Sequence, residues 1–515
     1  MAWLDSTLVA VLANVVTPSN LMVMIGGILA GLLVGALPGF QANMGVALLL
    51  PLTYGLAPDT GLLLLVSLYA AAIYGGSLTA ILFHTPGTTA SAATAIEGYA
   101  LTRQGKAGTA IRIATWCSSI GGLVGAFCLL LISPPLSLIS LQFGPAEYFL
   151  LAVFGLTTIA SIASGALLTK GLLAGTAGFL LSTVGMDLDS GFPRFTFGMA
   201  FLDSGISFVP AVIGLFALSQ VLSMVESTSR RATSTVAAFD KSDWRFFPSL
   251  AELRQVWGSI PRSLGIGMVI GVLPGAGADV ASWVSYHEAK RFSRNPERFG
   301  HGAIDGIASA EVAKNTETGG ALIPLLTLGI PGSTTAAILL GALIMHGLVP
   351  GRELFTQYAQ ITYTVIVGFI LANFLMAIVG MAVSRYIARL TSLNISVLAP
   401  LIATLCIVGS FALGNNIYDV WTMLAFGILG YFMKNHGYHP AAMVLGLILG
   451  PMAENGYRQV LVLSRGSVIT YFLTHPISVV LIILIVLAIL SPFILERRGR
   501  RGENAVEATS RPGES

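Results

Sequence analysis

The chain is poor in charge and in cysteine and has no basic residue near its start, and each shortage excludes something. Only 10% of its 515 residues are Asp, Glu, Lys or Arg, too few to solvate a soluble protein of this size. Cys117, Cys128 and Cys406 are its three cysteines, all in apolar runs without ligand spacing. That excludes a disulfide framework and a zinc pattern and leaves buried thiols. No Lys or Arg precedes Arg103, so the start lacks the basic region of a cleavable signal peptide. No Gly-x-x-x-x-Gly-Lys-Ser/Thr string occurs, which removes the nucleotide site of an ATP-driven pump. The net charge of +3 gives no reason to expect nucleic acid as a partner.

What remains is apolar. Hydrophobic residues make up 55% of the chain and mean hydropathy is +0.81. Runs near the roughly 20 residues that cross a bilayer lie at 21–37, 60–83, 113–133, 147–163, 205–225, 360–384, 394–410, 418–433 and 468–495. With interrupted segments included, the pattern predicts an all-α polytopic membrane protein of about 10–14 spans.

The interruptions repeat. Gly35-Ala-Leu-Pro38-Gly39 recurs as Gly271-Val-Leu-Pro274-Gly275, and Thr85-Pro86-Gly87-Thr88-Thr89 recurs as Ile330-Pro331-Gly332-Ser333-Thr334-Thr335. Pro removes a backbone donor and Gly leaves helical geometry cheaply, so each pair frees peptide groups within an apolar segment. Such groups persist in lipid only when packed in protein or lining a site. Paired breaks in two halves are the pattern of a secondary transporter with a midplane site.

Charge orders the chain into an N-terminal segment (1–20), a first transmembrane repeat (21–225), a basic linker (226–262), a second repeat (263–467), a final transmembrane helix (468–495) and a disordered tail (496–515). Arg230, Arg231, Lys241, Arg245, Arg254 and Arg262 place the linker in the cytoplasm, and Arg497, Arg498, Arg500 and Arg501 place the C-terminus there. Matched loops carry opposite bias. Lys290, Arg291, Arg294 and Arg298 follow the second-half break, whereas 51–60 has no basic residue, and Arg385 and Arg389 have no counterpart at 134–146. Equivalent loops on opposite faces mean inverted-topology repeats. Arg262 and Lys290 on one face make 263–290 a re-entrant hairpin, with 21–56 as its opposite.

A half-helix starting after a Pro-Gly break points free N–H groups and a positive dipole end into the site, which suits an anion. The candidate substrate ligands are Asn43, Thr85, Thr88, Thr89, Ser333, Thr334, Thr335 and Asn315, with the broken backbone at Pro38, Gly39, Pro86, Gly87, Pro274, Gly275, Pro331 and Gly332. Asp279 is the candidate for a coupling Na⁺ or H⁺. Helix capping alone is the plainer account of the hydroxyls and Asn43. Glu311 meets Lys314 and Asn315 at helical spacing, a polar lining or else a solvated helix start shared with Asp305. No cofactor or metal site and no enzyme chemistry emerge: Gly275-Ala-Gly277-Ala-Asp279 is not the Gly-x-Gly-Asp of an intramembrane aspartyl protease. A gated anion channel shares the broken helices and is the second reading.

The strings G-V-L-P-G-A-G-A-D (271–279), S-Y-H-E-A-K (285–290), N-P-E-R-F-G-H-G (295–302), G-G-A-L-I-P-L-L-T-L-G-I-P-G-S (319–333) and L-L-G-A-L (339–343) resemble the large membrane subunit of the tripartite tricarboxylate transporter family. In the first half G-A-L-P-G (35–39), Y-G-G-S-L-T-A-I-L (74–82), T-P-G-T (85–88) and Q-G-K-A-G (104–108) are similar to it as well, so the resemblance covers about residues 15–490. It implies a multi-pass protein of the bacterial inner membrane that works with a small membrane subunit and a periplasmic solute-binding protein. It also implies gradient-driven import of carboxylates such as citrate. The chain departs from the family at 303–317, where a more Glu/Asn-rich, less basic run is expected and Lys314 stands.

Overall fold

A computed structural model describes residues 2–37, 39–139, 142–162, 166–187, 190–227, 245–390 and 395–489. Pro38, most of the basic linker with Arg230, Arg231 and Lys241, and the tail with Arg497 to Arg501 lie outside the described residues. The described chain is mainly helical, with 21 α-helices up to Thr474, a further helix at Pro476–Ile489, and one short antiparallel ladder pairing Gly185 with Arg194 and Met186 with Pro193.

Among the described residues five helices are long and apolar enough to cross a membrane: Pro18–Ala36, Pro58–Phe83, Ala107–Ile139, Phe208–Glu226 and Ala359–Tyr386. The pair Val468–Thr474 and Pro476–Ile489 makes a sixth if it counts as one span, but it bends by 99° where a single final helix was expected. The count falls short of ten to fourteen for a physical reason. The breaks leave pieces such as Ile260–Val272 and Thr334–Met345 too short to span alone. The long helix Ile304–Leu328 carries Asp305, Glu311, Lys314 and Glu317, and the last three are fully buried in protein.

The chain divides into two compact units that cut across the sequence halves, one of Met1–Leu141 and Ser207–Phe432, the other of Gln142–Ile206 and Met433–Ser515. Within the smaller unit, the helix Pro440–Leu463 packs on Pro145–Ile162 and Ala166–Ser182. There Arg194 reaches Glu454 at 2.5 Å and Arg458 reaches Asp187 at 2.5 Å and Glu454 at 2.8 Å.

The larger unit is organised by two buried helices, Pro58–Phe83 and Ile304–Leu328, each with a glycine-faced helix against it. Gly27, Gly31 and Gly35 lie four residues apart on Pro18–Ala36 and press on backbone carbonyls of the first. A Cβ on Gly27 would stand 2.6 Å from the Leu64 oxygen, and one on Gly35 would strike that of Ala72. On Ile260–Val272, Gly267 meets the Ala313 carbonyl and a Cβ on Gly271 would be 2.7 Å from that of Glu317. Small residues at this spacing let helix backbones approach closely, which matters where no hydrophobic drive separates helix from lipid. Ala107–Ile139 completes the packing around Ile304–Leu328 through Gly121 and Gly125.

Both breaks take the same local form. Leu37 (φ −81°, ψ 117°) and Leu273 (φ −77°, ψ 119°) end their helices, and Gly39 and Gly275 turn the chain at φ 84° and 80°, a region only glycine enters cheaply. Downstream, the Gly87 N–H donates to the Gly76 carbonyl at 3.2 Å, and the Gly332 N–H to that of Ala321 at 3.3 Å. A Cβ on Gly87 would collide with the Gly35 carbonyl, and one on Gly332 with that of Gly271. Gly332→Ala is therefore expected to lower stability by about 1–3 kcal/mol through overpacking, and Gly87→Ala to match it. Gly26→Ala, which meets nothing within 4 Å, is the neutral control. Thermal unfolding in detergent separates the three.

Next to the linker, Ser249 and Glu252 form a capping box on Leu250–Val256, and Arg112 donates to Glu252 at 2.5 Å. Burial pushes the Glu252 carboxyl up, but the Arg112 guanidinium and the Ser249 groups outweigh it and hold it below its ordinary range. The pair thus stabilises the fold fully above the ordinary carboxylate range and loses that contribution as the pH falls from there through the depressed value of Glu252.

Candidate functional site

The polar residues of Ile304–Leu328 are the key to the site. Glu311, Lys314, Asn315, Thr316 and Glu317 are all fully buried, which corrects the solvated-start reading of Glu311. The helix runs without a break to Gly329, whose left-handed geometry (φ 73°) stops it just before Ile330-Pro331-Gly332.

Glu311 is held as a satisfied anion. Its Oε1 accepts from Ser77 and Thr94, each at 2.6 Å, and its Oε2 from Ser118 at 2.5 Å. Lys314 Nζ lies 2.9 Å from Oε1 and also donates to Ser77 and, at 3.0 Å, to Ser91. Ser91 in turn shares a 3.0 Å hydrogen bond with Thr88. Burying two charges costs several kcal/mol each unless pairing and hydrogen bonds replace water. Here a cation and three hydroxyls surround one carboxylate. Asn315 Nδ2 donates to the Glu311 carbonyl at 3.1 Å, so the expected Glu311–Lys314–Asn315 set exists, with Asn315 bound through the backbone.

One turn further, Glu317 has a different setting. Its Oε2 accepts from the Tyr69 hydroxyl at a long 3.4 Å and its Oε1 has no hydrogen-bond partner, nor has Asn315 Oδ1. Tyr69 shares a 3.0 Å hydrogen bond with Ser333 Oγ, which also caps Thr334–Met345 by accepting from the Ala336 N–H at 3.3 Å.

The two breaks are thus served crosswise. Lys314, from the second-half helix, reaches the Ser91 hydroxyl just after the first-half break. Tyr69, from the first-half helix, reaches the hydroxyl of the second. Thr89 adds a third link, donating to Asp279 Oδ2 at 2.6 Å. The Gly275 N–H donates to the Gly332 carbonyl at 2.8 Å, which joins the two second-half breaks directly.

Of the residues expected from sequence, Thr88, Thr89, Ser333, Asn315 and Asp279 enter this network. Thr335 is buried and Thr334 half-buried at the start of their helix, whereas Thr85 is exposed and donates to its neighbour's carbonyl, Phe83 O, at 3.2 Å. Asn43 is buried, and its Oδ1 accepts from the adjacent Met44 N–H at 2.8 Å, a local bond at the start of Ala42–Leu49. Pro274, Pro331, Gly87 and Gly332 are buried, Pro86 and Gly275 half-buried and Gly39 exposed. Asp305 lines a cavity of about 510 Å³ with Arg254, Arg262, Arg294 and Arg298. The sequence reading missed Tyr69, Ser77, Ser91, Thr94 and Ser118. A lone hydroxyl in an apolar helix has no periodic signal, but a fully buried Glu and Lys three residues apart require donors from neighbouring helices.

The sequence profile of the Tripartite tricarboxylate transporter TctA family matches residues 21–445. An Agrobacterium vitis protein, described as an uncharacterized 52.8 kDa protein in the TAR-I ttuC′ 3′ region, is 36% identical over 491 residues, 95% of this chain and 96% of its own length. A second from the same organism, described as an uncharacterized protein in the TAR-II ttuC′ 3′ region, is 35% identical over 241 residues, 47% of this chain and 99% of its own. No solved structure matches the chain.

Proposed function

Because the chain belongs to the Tripartite tricarboxylate transporter TctA family, we propose that it is the large membrane subunit of an importer for an organic tri- or dicarboxylate. The substrate is handed over by a periplasmic binding protein, with a small membrane subunit as the third component. Uptake is driven by a Na⁺ or H⁺ gradient. The protein sits in the bacterial inner membrane with its C-terminus in the cytoplasm, and its two halves are inverted repeats that alternate access to one site.

One observation carries this reading. Two breaks of the same geometry each present hydroxyls, and each is reached by a side chain from the opposite half. Ser91, itself bonded to Thr88, meets Lys314, and Ser333 meets Tyr69. Helix starts and hydroxyls recognise carboxylates without adding a fixed charge that would have to be buried in every state. Thr334 and Thr335 open the helix after the second break, Asn315 offers an unpartnered amide oxygen, and Asp279 contributes negative charge toward the balancing cation. A gated channel needs no such reciprocal coupling between halves.

Screening the cognate binding protein against organic acids identifies the substrate. Reconstitution with both partners then tests the coupling: accumulation requires an ion gradient, and accumulation driven by ATP hydrolysis without one defeats the proposal. Ser333→Ala removes a hydroxyl facing a charged carboxylate, an interaction of about 1.5–3 kcal/mol. Apparent substrate affinity is therefore expected to fall by roughly tenfold or more. An unchanged affinity would reduce Ser333 to a helix cap.

A further inference from the structure

Ile304–Leu328 carries two buried carboxylates less than two turns apart in opposite surroundings. Glu311 has three hydroxyl donors and Lys314. Glu317 is equally buried, with one oxygen unpartnered and the other at 3.4 Å from a tyrosine that has a single hydrogen to give. The same hydroxyl also shares a 3.0 Å hydrogen bond with Ser333 Oγ, in which either oxygen can be the donor. The charged groups whose fields reach Glu317 and its tyrosine do not favour a second negative charge. Asp279, from Gly277–Arg291, acts on both, while Lys314 is already committed to Glu311. A carboxylate that is buried and underbonded, and feels the field of another carboxylate, is one that holds a proton. Two acids pushed apart by their environments take different roles.

We propose that Glu317 is the proton-binding group of this transporter, and that its proton and the substrate anion at the Ser333 break bind together. The proposal rests on the transport reading and fixes its coupling ion as H⁺. With Glu317 ionised, an arriving carboxylate meets a negative charge that Tyr69 links to the Ser333 hydroxyl. With Glu317 neutral, that repulsion is gone, and Tyr69 and Ser333 are free to donate toward the substrate. Linkage makes the effect mutual: the anion favours the proton as much as the proton favours the anion. The proton enters on Glu317 with the substrate from the periplasmic side and leaves to the cytoplasm when the substrate departs. Glu311 and Lys314 remain a neutral pair throughout.

The first test needs no substrate. Infrared spectra of the full chain in lipid at neutral pH are expected to contain a carboxylic-acid carbonyl band that Glu317→Gln removes. A wild type without such a band overturns the proposal and leaves the transport reading standing. The second test uses proteoliposomes containing the chain with its partner subunits and radiolabelled citrate. Glu317→Gln is expected to exchange citrate across the membrane yet lose accumulation driven by a pH gradient. Its citrate affinity is expected to lose a pH dependence that in the wild type approaches tenfold per pH unit, the limit for one linked proton. Glu317→Asp keeps the acid and should keep coupling with a shifted pH midpoint. That variant decides the matter if Glu317→Gln does not assemble, and an unshifted midpoint counts against the proposal. Full pH-driven accumulation by Glu317→Gln, or wild-type accumulation that follows Na⁺ and ignores pH, overturns the assignment. Wild-type vesicles that take up no carboxylate defeat the transport reading itself.

Discussion

Lys314→Met is expected to destabilise the protein by about 3–5 kcal/mol, the cost of leaving one member of a buried ion pair without its partner. Glu311 would keep its hydrogen bonds from Ser77, Thr94 and Ser118 but lose the only cation within reach of it among the described residues. Glu311→Gln strands the other charge, leaving Lys314 with Ser77 and Ser91 alone, and is expected to cost a similar amount. The double variant Glu311→Gln/Lys314→Met removes both charges and keeps much of the volume. It is expected to recover most of the loss, because a buried pair replaced by neutral groups is often close to neutral overall. Unfolding of the three variants in one detergent closes the cycle. If the double variant is as unstable as the sum of the singles, the two charges do not act as a pair.

That pair shows what the sequence reveals and what it hides. The breaks are legible because Pro and Gly act locally: Gly39 and Gly275 turn the chain where their neighbours predict, and Ser333 starts a helix as an N-cap residue should. The Glu311–Lys314–Asn315 spacing is legible too, since it depends on one helix only. Its burial is not, because four charges in Ile304–Leu328 look like a wet helix until the donors on three other segments are known. Ser77, Ser91, Thr94 and Ser118 are single hydroxyls scattered through apolar sequence, and only the tertiary fold gathers them round one carboxylate and its ammonium partner. The expected number of spans exceeds the number of long apolar helices for a different reason: the breaks divide apolar sequence into pieces such as Ile260–Val272 and Thr334–Met345, each too short to span alone.

Glu97→Ala is the second variant expected to have a large effect. Glu97 is fully buried, and its carboxylate accepts four hydrogen bonds: from Tyr286 at 2.7 Å and from the N–H groups of Gly300, Gly302 and Ala303 at 2.5, 2.8 and 2.8 Å. Ala303 occupies the N-cap position of Ile304–Leu328 and has no side chain able to cap it. Glu97, from another helix, instead accepts from the N-cap N–H and from two N–H groups of the loop before it, so it anchors the chain's entry into the helix with its carboxylate near the positive end of the dipole. Each donor left unsatisfied costs about 1–3 kcal/mol. With part of the turn able to rehydrate, the loss is expected to be on the order of 4 kcal/mol. Glu97→Gln keeps one acceptor oxygen and should lie in between. Hydrogen exchange checks the mechanism as well as the magnitude: protection is expected to fall first at Gly300, Gly302 and Ala303. Uniform loss across the chain, with no early opening there, would mean that Glu97 acts by packing alone.

The crosswise service of the breaks also sets an order of assembly. Ser77 and Glu311 are 234 positions apart in sequence. At 5–20 residues per second a ribosome needs roughly 10–50 s to cover that distance. Through that interval Ser77, Ser91, Thr94 and Ser118 are already made, while the carboxylate and ammonium they will surround are not. The first half must wait in the membrane with an unfinished polar seam. Anything that lengthens the wait, such as slow translation of the linker, is expected to increase the share of chains removed by membrane quality control. Supplying the second half as a separate polypeptide should rescue a first half expressed alone.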